Sequence, residues 1–470
     1  MLQLSLFDPA SLRDTITGRV VLPADPDYDE IRAGFNGMID KRPLAILVVA
    51  TDADVAEGIR IAREYDLPLA IRGGGHSAPG FGSCDGGIVI DCRDLQNVRV
   101  DTAAATIACG SGLNWKQFDD ATQRFGLAVT GGRVSSTGVA GLTIGSGSGW
   151  LERAMGLTSD SLIGVRMVTA EGAIVDSDDD PDLLWALRGG GGNFGVITEL
   201  RFQLRPLGPT VLGGQRFYPL ERGREVLAAY RDVMMAAPKE LCGGLAFITA
   251  PPAPFVPEEY RGKVVAATIV LWAGDPAEAE RGVAALDVLG EPIVDLVRPI
   301  EYTELQQLMD KGAPAGKRDY FKGGFMTELS DAAIDDIVGL AETVTEPLTQ
   351  IICAPLGHHT QYAAVDEEFS AIGHRDELWS FQVLSLWADA KDDADQKAWT
   401  KGAAEVMSSY SDMVSYPNFL SADEAADVES AYSPGVLRRL RAVKDRYDPE
   451  NVFRINHNIL PTTAPTPLAP

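Results

Sequence analysis

The N-terminal part of the chain alternates short apolar runs with amphipathic segments. Residues 44–50 (LAILVVA) form an apolar run that is typical of a buried strand. The next segment, TDADVAEGIRIAREYD, has apolar residues at helical spacing after Thr51 at the N-cap position. A second apolar run, 67–71, leads directly into consecutive glycines. The pattern predicts a strand, a helix, a strand and a glycine loop, a βαβ-type unit that ends in a candidate anion-binding loop.

Short β-like segments and one further helix are predicted next. Residues 86–110 contain the β-like pieces GIVID, NVRVD and ATIACG, and the amphipathic stretch LNWKQFDDATQRFG predicts a helix that ends at Gly126. Residues 131–149 hold seven glycines among small and β-branched residues, which favours backbone packed against a ligand over a regular element. Residues 162–176 predict a hairpin that turns at Glu171 and Gly172.

The pattern of apolar and polar segments changes after about Pro206. Polar helical stretches such as PLERGREVLAAYRDVMMAAP alternate with apolar β-like runs such as KVVAATIVLWAG and WSFQVLSLWA. This change predicts a separate substrate-type domain. The helical pattern SPGVLRRLRAVKDRYDPENVF follows near the C-terminus, with Ser433 as N-cap, Pro434 at the first helical position and Asp448-Pro449 at the end.

Composition and charge narrow the classes of function. A chain of 470 residues favours two domains, or one core with a large insertion, and 45% hydrophobic and 23% charged residues are typical of a globular protein. The net charge of −26 disfavours a nucleic-acid partner. Five cysteines without a CxxC pair indicate free thiols. The N-terminus lacks the pattern of a signal peptide, and no apolar run has membrane-spanning length, so we expect a cytoplasmic protein without a membrane partner.

Two common motif interpretations fail on their context. Residues 190–195 match GxGxxG, but they follow the helical run DLLWALR and precede the strand-like VITEL, whereas a dinucleotide-binding loop follows a strand and opens a helix. His358 and His359 are adjacent, and no HExxH motif or carboxylate cluster accompanies them. The acidic runs lack EF-hand spacing, so we predict no metal site.

The loop Arg72-Gly73-Gly74-Gly75-His76 carries more information. Three successive glycines let backbone N–H groups approach a phosphate closely, and Arg72 can supply positive charge. A rigid loop can also hold the His76 imidazole against a cofactor ring, where a neutral ring nitrogen is a nucleophile. The alternative is a loop histidine that hydrogen-bonds the backbone. The local chemistry leaves both interpretations open.

Four blocks, in this order along the chain, resemble the berberine bridge enzyme-like branch of the vanillyl-alcohol oxidase / p-cresol methylhydroxylase flavoprotein family. They are LPLAIRGGGHSAPGFGSCDGGIVIDC, GGRVSSTGVAGLTIGSGSGWLERAMGLTSDSLIGVRMVTAEG, DLLWALRGGGGNFGVITEL and VKDRYDPENVFRINHNI. The resemblance implies a two-domain α+β fold. Residues 1–205 and 415–470 would build an FAD-binding domain, and residues 206–414 an inserted substrate domain with an antiparallel sheet covered by helices.

The resemblance implies FAD bound covalently to His76 through the 8α-methyl group of the flavin. Val134 stands where bicovalent members carry a cysteine, so no second bond is expected, and Cys84 does not occupy that position. Thr137 stands where the family places a residue that gates oxygen access, which leaves oxygen reactivity open. Together with His76, the expected cofactor-binding residues are Arg72, Gly73, Gly74, Gly75, Ser77, Gly132, Ser136, Thr137, Gly138, Gly141, Leu142, Thr143, Val196, Asn456 and Asn458.

The segment Ser415–Phe419 resembles the family's Tyr-x-Asn-Tyr motif and makes Tyr416 the candidate catalytic base. Phe419 replaces the second tyrosine and cannot donate a hydrogen bond, and a half-buried structural tyrosine is the alternative for Tyr416. The stretches RDYFKGGF and WSFQVLSLW resemble pocket strands, so substrate contacts are expected from Tyr320, Lys322 and Gln382, with solvated side chains as the alternative.

The resulting functional hypothesis is an FAD-linked oxidase that acts on a CH–OH group of a sugar or secondary metabolite. Hydride would pass to flavin N5, and O2 would reoxidise the flavin to give H2O2. Amine oxidation at a C–N bond, as in 6-hydroxynicotine-oxidase-like members, is the main alternative. Two further alternatives are a dehydrogenase with an acceptor other than O2 and a flavin-carrying binding protein without turnover. The expected partners are a small-molecule substrate and O2, and the sequence is compatible with a monomer or a homodimer.

Overall fold

The computed structural model describes residues 7–372, 375–411, 417–420 and 431–462. Its N-terminal part is a four-stranded sheet in the order β1-β2-β4-β3, with parallel pairing of β2 and β3 to β4. The side chain of Thr51 accepts a hydrogen bond from the N–H of Asp54 and caps the first long helix, as predicted. The elements are β1 (Arg19–Val21), α1 (Tyr28–Arg32), β2 (Ala45–Val48), α2 (Asp52–Glu64), β3 (Leu69–Arg72) and β4 (Ile88–Asp91).

A second, five-stranded sheet follows in the order β5-β6-β10-β8-β9. The predicted hairpin is present, and Gly172 at its turn has a φ of +80°. The expectation of no regular element within 131–149 was wrong, because Val139, Ala140 and Thr143 bury one face of a short helix, α4. The elements are β5 (Val98–Asp101), β6 (Thr106–Gly110), α3 (Trp115–Thr122), β7 (Leu127–Ala128), α4 (Val139–Ile144), α5 (Glu152–Met155), β8 (Leu162–Val168), β9 (Ile174–Asp176), α6 (Pro181–Leu187) and β10 (Val196–Gln203).

The third sheet is antiparallel and has the order β15-β12-β14-β13-β18-β19-β17, with β16 paired to β12. Helices α7, α10 and α12 cover one face of it and form its main apolar core. The elements are β11 (Arg205–Pro206), β12 (Thr210–Pro219), α7 (Gly223–Ala236), β13 (Leu241–Thr249), β14 (Val264–Trp272), α8 (Ala279–Ala284), β15 (Val294–Asp295), β16 (Arg298–Glu301), α9 (Tyr302–Gln306), β17 (Arg318–Met326), α10 (Asp331–Glu342), β18 (Gln350–Pro355), α11 (Gln361–Ala364), β19 (Trp379–Trp387), α12 (Asp393–Ser408) and α13 (Pro434–Tyr447).

The other face of the large sheet packs against the N-terminal half. A Cβ atom on Gly244 would lie 3.1 Å from the Trp150 ring, so the strand and the tryptophan are in close contact. The buried guanidinium of Arg153 crosses the same boundary and donates to the carbonyl oxygens of Leu241, at 2.9 Å, and Ala237, at 3.0 Å. The expected α+β fold with an antiparallel sheet covered by helices is thereby confirmed. The division at 205/206 and 414/415 stays a prediction.

A buried ion pair fixes the segment after α13. Lys444 and Asp448 are both fully buried, and the Lys444 ammonium lies 2.6 Å from the Asp448 carboxylate. The same ammonium donates to the carbonyl oxygens of Asn193 and Phe453, and the carboxylate accepts the N–H groups of Val452 and Phe453. Because every strong partner is supplied internally, the pair holds the C-terminal segment on the 190–195 loop.

We expect Lys444→Met to lower the free energy of unfolding by about 3 kcal/mol, because it leaves the Asp448 carboxylate buried without a counter-ion. The matched control is Lys116→Met. Lys116 forms the same i,i+4 pair with Asp120, at 2.7 Å, but about half of each side chain is exposed. Its loss should cost about 0.5 kcal/mol or less. Denaturant unfolding of the two variants checks this, and equal losses would contradict the assigned role of Lys444.

Candidate cofactor and active site

Two glycine loops meet backbone to backbone at the centre of the site. A Cβ atom on Gly74 would lie 2.3 Å from the amide nitrogen of Gly138, and one on Gly138 would lie 2.4 Å from the amide nitrogen of Gly74. Neither position has room for a side chain. Gly75 follows with a φ of +72°, a conformation that favours glycine. The contact brings the RGGGH loop against residues 134–138.

This contact places the His76 ring between two hydroxyl groups. Its Nε2 lies 2.9 Å from the Ser136 hydroxyl, and its Nδ1 lies 3.3 Å from the Thr137 hydroxyl. The Phe35 ring stacks on the imidazole at a centroid distance of 4.1 Å. Burial lowers the pKa of His76 to about 4, so the imidazole is neutral at pH 7 and one of its nitrogens keeps a lone pair. A neutral, oriented imidazole is suited to nucleophilic attack or to a covalent linkage.

Arg72 and Ser77 organise the loop around His76. The buried Arg72 guanidinium donates to the carbonyl oxygens of Ile31, at 2.6 Å, and Gly82, at 3.1 Å, and lies 3.5 Å from the Asp91 carboxylate. The guanidinium charge is therefore taken up by carbonyl oxygens and a carboxylate of the protein itself, and burial lowers the pKa of Arg72. The Ser77 hydroxyl accepts the N–H of Phe81. The backbone amides of 73–77 remain the groups suited to an anion.

Several expected cofactor positions lie on and around α4. A Cβ atom on Gly141 would meet nothing within 4 Å, whereas Gly132 packs closely on Leu142 and Trp115. The Thr143 hydroxyl donates to the carbonyl oxygen of Val139, within the helix. The side chain of Val196, at the start of β10, is fully buried in the core of the first sheet. The open space beside Gly141 leaves room for a ligand against α4.

The C-terminal segment presents two amide groups towards the same region. The Asn456 amide nitrogen donates to the carbonyl oxygens of Gly192 and Phe453. The buried Oδ1 atoms of Asn456 and Asn458 accept no hydrogen bond from the part of the chain that the structure describes. Buried acceptors without a donor are costly, and the N3–H group of a flavin ring together with the hydroxyl groups of its ribityl chain would satisfy them. These residues therefore fit FAD.

Neither Cys84 nor the residue at position 134 is suited to a covalent bond with a flavin. Cys84 is buried, its thiol lies within hydrogen-bonding distance of the carbonyl oxygens of Pro68 and Ile88, and burial raises its pKa to about 11. Val134, in the 134–138 loop, is half-buried and offers no ligand atom. Among the described residues, no group of three His, Cys, Asp or Glu side chains could hold a metal ion.

The expected substrate residues lie on both faces of the large sheet. Gln382 is directly opposite Gly323 in the β17–β19 pair. A Cβ on Gly323 would lie 2.9 Å from the Phe419 ring, so both residues face the N-terminal half. Side chains alternate along a strand, so Tyr320 and Lys322 lie on the opposite, helix-covered face of the sheet. Lys322 is opposite Val383 there and is only 5% exposed. Tyr320 and Lys322 therefore lie on the other face of the sheet from Gln382.

Tyr416 lies outside the described residues. Its neighbour Asn418 donates to the carbonyl oxygen of Leu142 at 2.8 Å, and Phe419 packs on Phe321 of β17. The segment 417–419 therefore bridges α4 and the face of the large sheet that turns towards the N-terminal half.

The structure adds residues that sequence patterns do not indicate. The Asp310 carboxylate accepts the N–H of Ser135, at 2.8 Å, and its hydroxyl, at 2.6 Å, and ties the 134–138 loop to the large-sheet half of the chain. Asn193 donates to the carbonyl oxygen of His457 and accepts the N–H of Ile459. Phe35, on His76, follows the short helix α1. These partners are distant in sequence, and no local pattern pairs them.

Comparison with known proteins shows similarity to FAD-linked oxidoreductases over nearly the whole chain. A family model described as an FAD binding domain matches residues 43–178, and one described as berberine and berberine like matches residues 415–460. An FAD-linked oxidoreductase of Dictyostelium discoideum is 30% identical over 95% of this chain and 96% of its own length. (R)-6-hydroxynicotine oxidase of Paenarthrobacter nicotinovorans is 29% identical over 95% of this chain and 97% of that protein. The crystal structure of 6-hydroxy-D-nicotine oxidase from Arthrobacter nicotinovorans has a TM-score of 0.84 at 27% identity and covers 94% of this chain and 98% of that one.

We expect Gly138→Ala to reduce both stability and flavin content, because its methyl group would overlap the backbone of Gly74. The expected loss of stability is about 2 kcal/mol or more. Gly339→Ala is the matched control, since Gly339 lies in α10 with nothing within 4 Å of its Cβ position. It should be neutral or stabilising by up to about 1 kcal/mol. Thermal unfolding and the ratio of flavin to protein absorbance check the pair, and a Gly138→Ala protein as stable as its parent would refute the contact.

Proposed function

Because this chain belongs to the berberine and berberine-like family of FAD-linked oxidoreductases, we propose that it carries FAD on a single covalent bond to His76. We further propose that it oxidises a small molecule at a carbon that bears a hydroxyl or amino group, with O2 as the acceptor and H2O2 as the product. The observation that carries the proposal is the neutral His76 ring, held between Ser136 and Thr137 beside an open surface of α4.

FAD, when bound, accepts a hydride from the substrate carbon and passes the electrons on to an acceptor. The chain's own part is to hold the cofactor and orient the substrate. The 73–77 backbone amides suit its phosphates, and Asn456 and Asn458 suit the ring edge. Val134 provides no thiol, which supports a single bond.

Two substrate classes fit this chemistry. A CH–OH substrate needs a base for the hydroxyl proton, and Tyr416 is the candidate for that role. An amine releases hydride from its neutral form and needs no strong base. The identity of 29% to (R)-6-hydroxynicotine oxidase, over nearly the full length of both chains, favours the amine class. Among the described residues, no helix is long and apolar enough to cross a membrane.

The covalent bond is tested by acid precipitation. The parent protein should give a yellow pellet, whereas His76→Ala should release its flavin into the supernatant. His358→Ala is the control, because His358 is an exposed histidine in the turn after β18. Flavin absorbance in the two fractions is the measurement. If the parent's flavin washes out, the proposed linkage is refuted.

Tyr416→Phe separates the two substrate classes. If the substrate is an alcohol, we expect kcat to fall by about 10²-fold or more, because the hydroxyl proton loses its acceptor. With amine substrates, kcat should change little. Anaerobic bleaching of the flavin by candidate alcohols and amines identifies substrates, and stopped-flow reduction rates compare the variants. Unchanged alcohol oxidation across pH would remove Tyr416 from the mechanism.

A further inference from the structure

The face of the large sheet that turns towards the N-terminal half is almost without charge. On β17 this face carries Asp319, Phe321, Gly323 and Phe325, because side chains alternate along a strand. On the described strands β13, β18, β19 and β17, Asp319 is the only carboxylate on this face, and no lysine or arginine accompanies it. The residues opposite or next to them in register are Ser380, Gln382, Leu384, Leu386, Gln350, Ile352, Ala354, Ala246 and Gly244.

The Asp319 carboxylate is buried and has no partner within the described chain. Asp319 is 5% exposed, and its Oδ1 accepts no hydrogen bond. The charged residues nearest to it on its own strand do not face it: Arg318 pairs with Asp393, and Lys322 lies on the helix-covered side. Burial alone raises the pKa of Asp319 to about 7, with no contribution from a neighbouring charge.

The backbone of Asp319 is fixed next to the flavin-attachment site. Asn36 donates to the carbonyl oxygen of Asp319 at 2.9 Å and accepts its N–H at 3.1 Å. Asn36 adjoins Phe35, whose ring stacks on His76. The carboxylate is thus held on the same wall as Gln382 and close to the segment that contacts His76.

An isolated buried carboxylate is destabilising, since nothing in the protein replaces its lost hydration. Buried groups with a strongly shifted pKa are concentrated at functional sites. A cation would supply the missing partner and would be recognised strongly against an apolar surface. Phe321 and Leu384, which are half-buried on the same wall, provide that surface.

We propose that Asp319 is an anionic subsite that binds a cationic nitrogen of the substrate other than the nitrogen bonded to the oxidised carbon, which identifies the substrate class as an amine with an apolar body. The proposal rests on the proposed flavin oxidase function, and it makes Asp319 a specificity-determining residue. No bond is made or broken at Asp319. The carboxylate orients the substrate against Phe321 and Leu384.

A pair of inert probes tests the subsite in the flavin-containing protein. Benzyltrimethylammonium carries a permanent charge, and 2-methyl-1-phenyl-2-propanol is a neutral molecule of similar shape. Binding is read from perturbation of the oxidised-flavin absorption. At about pH 8.5 we expect the cation to bind at least about tenfold more tightly than the alcohol. The preference should shrink at about pH 5.5, because Asp319 becomes protonated below its pKa of about 7.

Asp319→Asn should abolish the cation preference and its pH dependence while leaving binding of the alcohol unchanged. Asp331→Asn, which alters an exposed carboxylate at the start of α10, should behave like the parent. Equal binding of the two probes by the parent, or an unchanged preference in Asp319→Asn, would overturn the proposal. Acid precipitation tests the His76 linkage separately, so a parent with covalent flavin and no cation preference refutes the subsite alone.

Stability provides a second readout that does not depend on turnover. Since the folded pKa of Asp319 lies above its ordinary value of 3.8, folding is favoured by the protonated form, and stability is lost as pH rises from about 4 towards 7. Asp319→Asn should remove this loss and melt higher than the parent at about pH 8.5. A lower melting temperature for Asp319→Asn at that pH would show that the carboxylate has a stabilising partner and would overturn the proposal.

Discussion

The close contact between the backbones of Gly74 and Gly138 is the constraint on which the site depends. No side chain fits at either position, so the backbone of the RGGGH loop contacts the backbone of residues 134–138 directly. This approach sets the His76 ring between the hydroxyls of Ser136 and Thr137. Asp310 holds the 134–138 loop from the side of the large sheet, so the position of His76 depends on both halves of the chain.

Buried charges in this protein follow two different arrangements. Lys444 and Asp448 satisfy each other and the surrounding backbone, and they fix the segment that carries Asn456 and Asn458. Asp319 has no such partner among the described residues, although it is as deeply buried as many core residues. The first arrangement stabilises the fold, whereas the second leaves a carboxylate that the proposed cationic substrate group would complete.

Elements that depend on local signals were predictable from the sequence. The Thr51 cap, the hairpin at Gly172 and the C-terminal helix after Ser433 were confirmed because capping groups and turn residues act on their immediate neighbours. The family resemblance, carried by four blocks of sequence, indicated the FAD domain and the loop that holds His76.

Features that depend on distant contacts were not predictable. The sequence did not reveal helix α4 within the glycine-rich stretch, because burial of its small residues forms it. Alternation along β17 puts Tyr320 and Lys322 on one face, but only sheet packing decides that Gln382 lies on the other. Asn36 and Asp319 are 283 residues apart, and their pairing emerges only in the folded chain.

The covalent bond between His76 and FAD is tested most directly by mass spectrometry of the proteolytic peptide that contains His76, isolated from the purified protein after denaturation. We expect this peptide to carry the flavin and fragmentation to localise it to His76, with peptides containing Val134 and Cys84 unmodified. A His76 peptide of unmodified mass from protein that contains flavin would refute the bond.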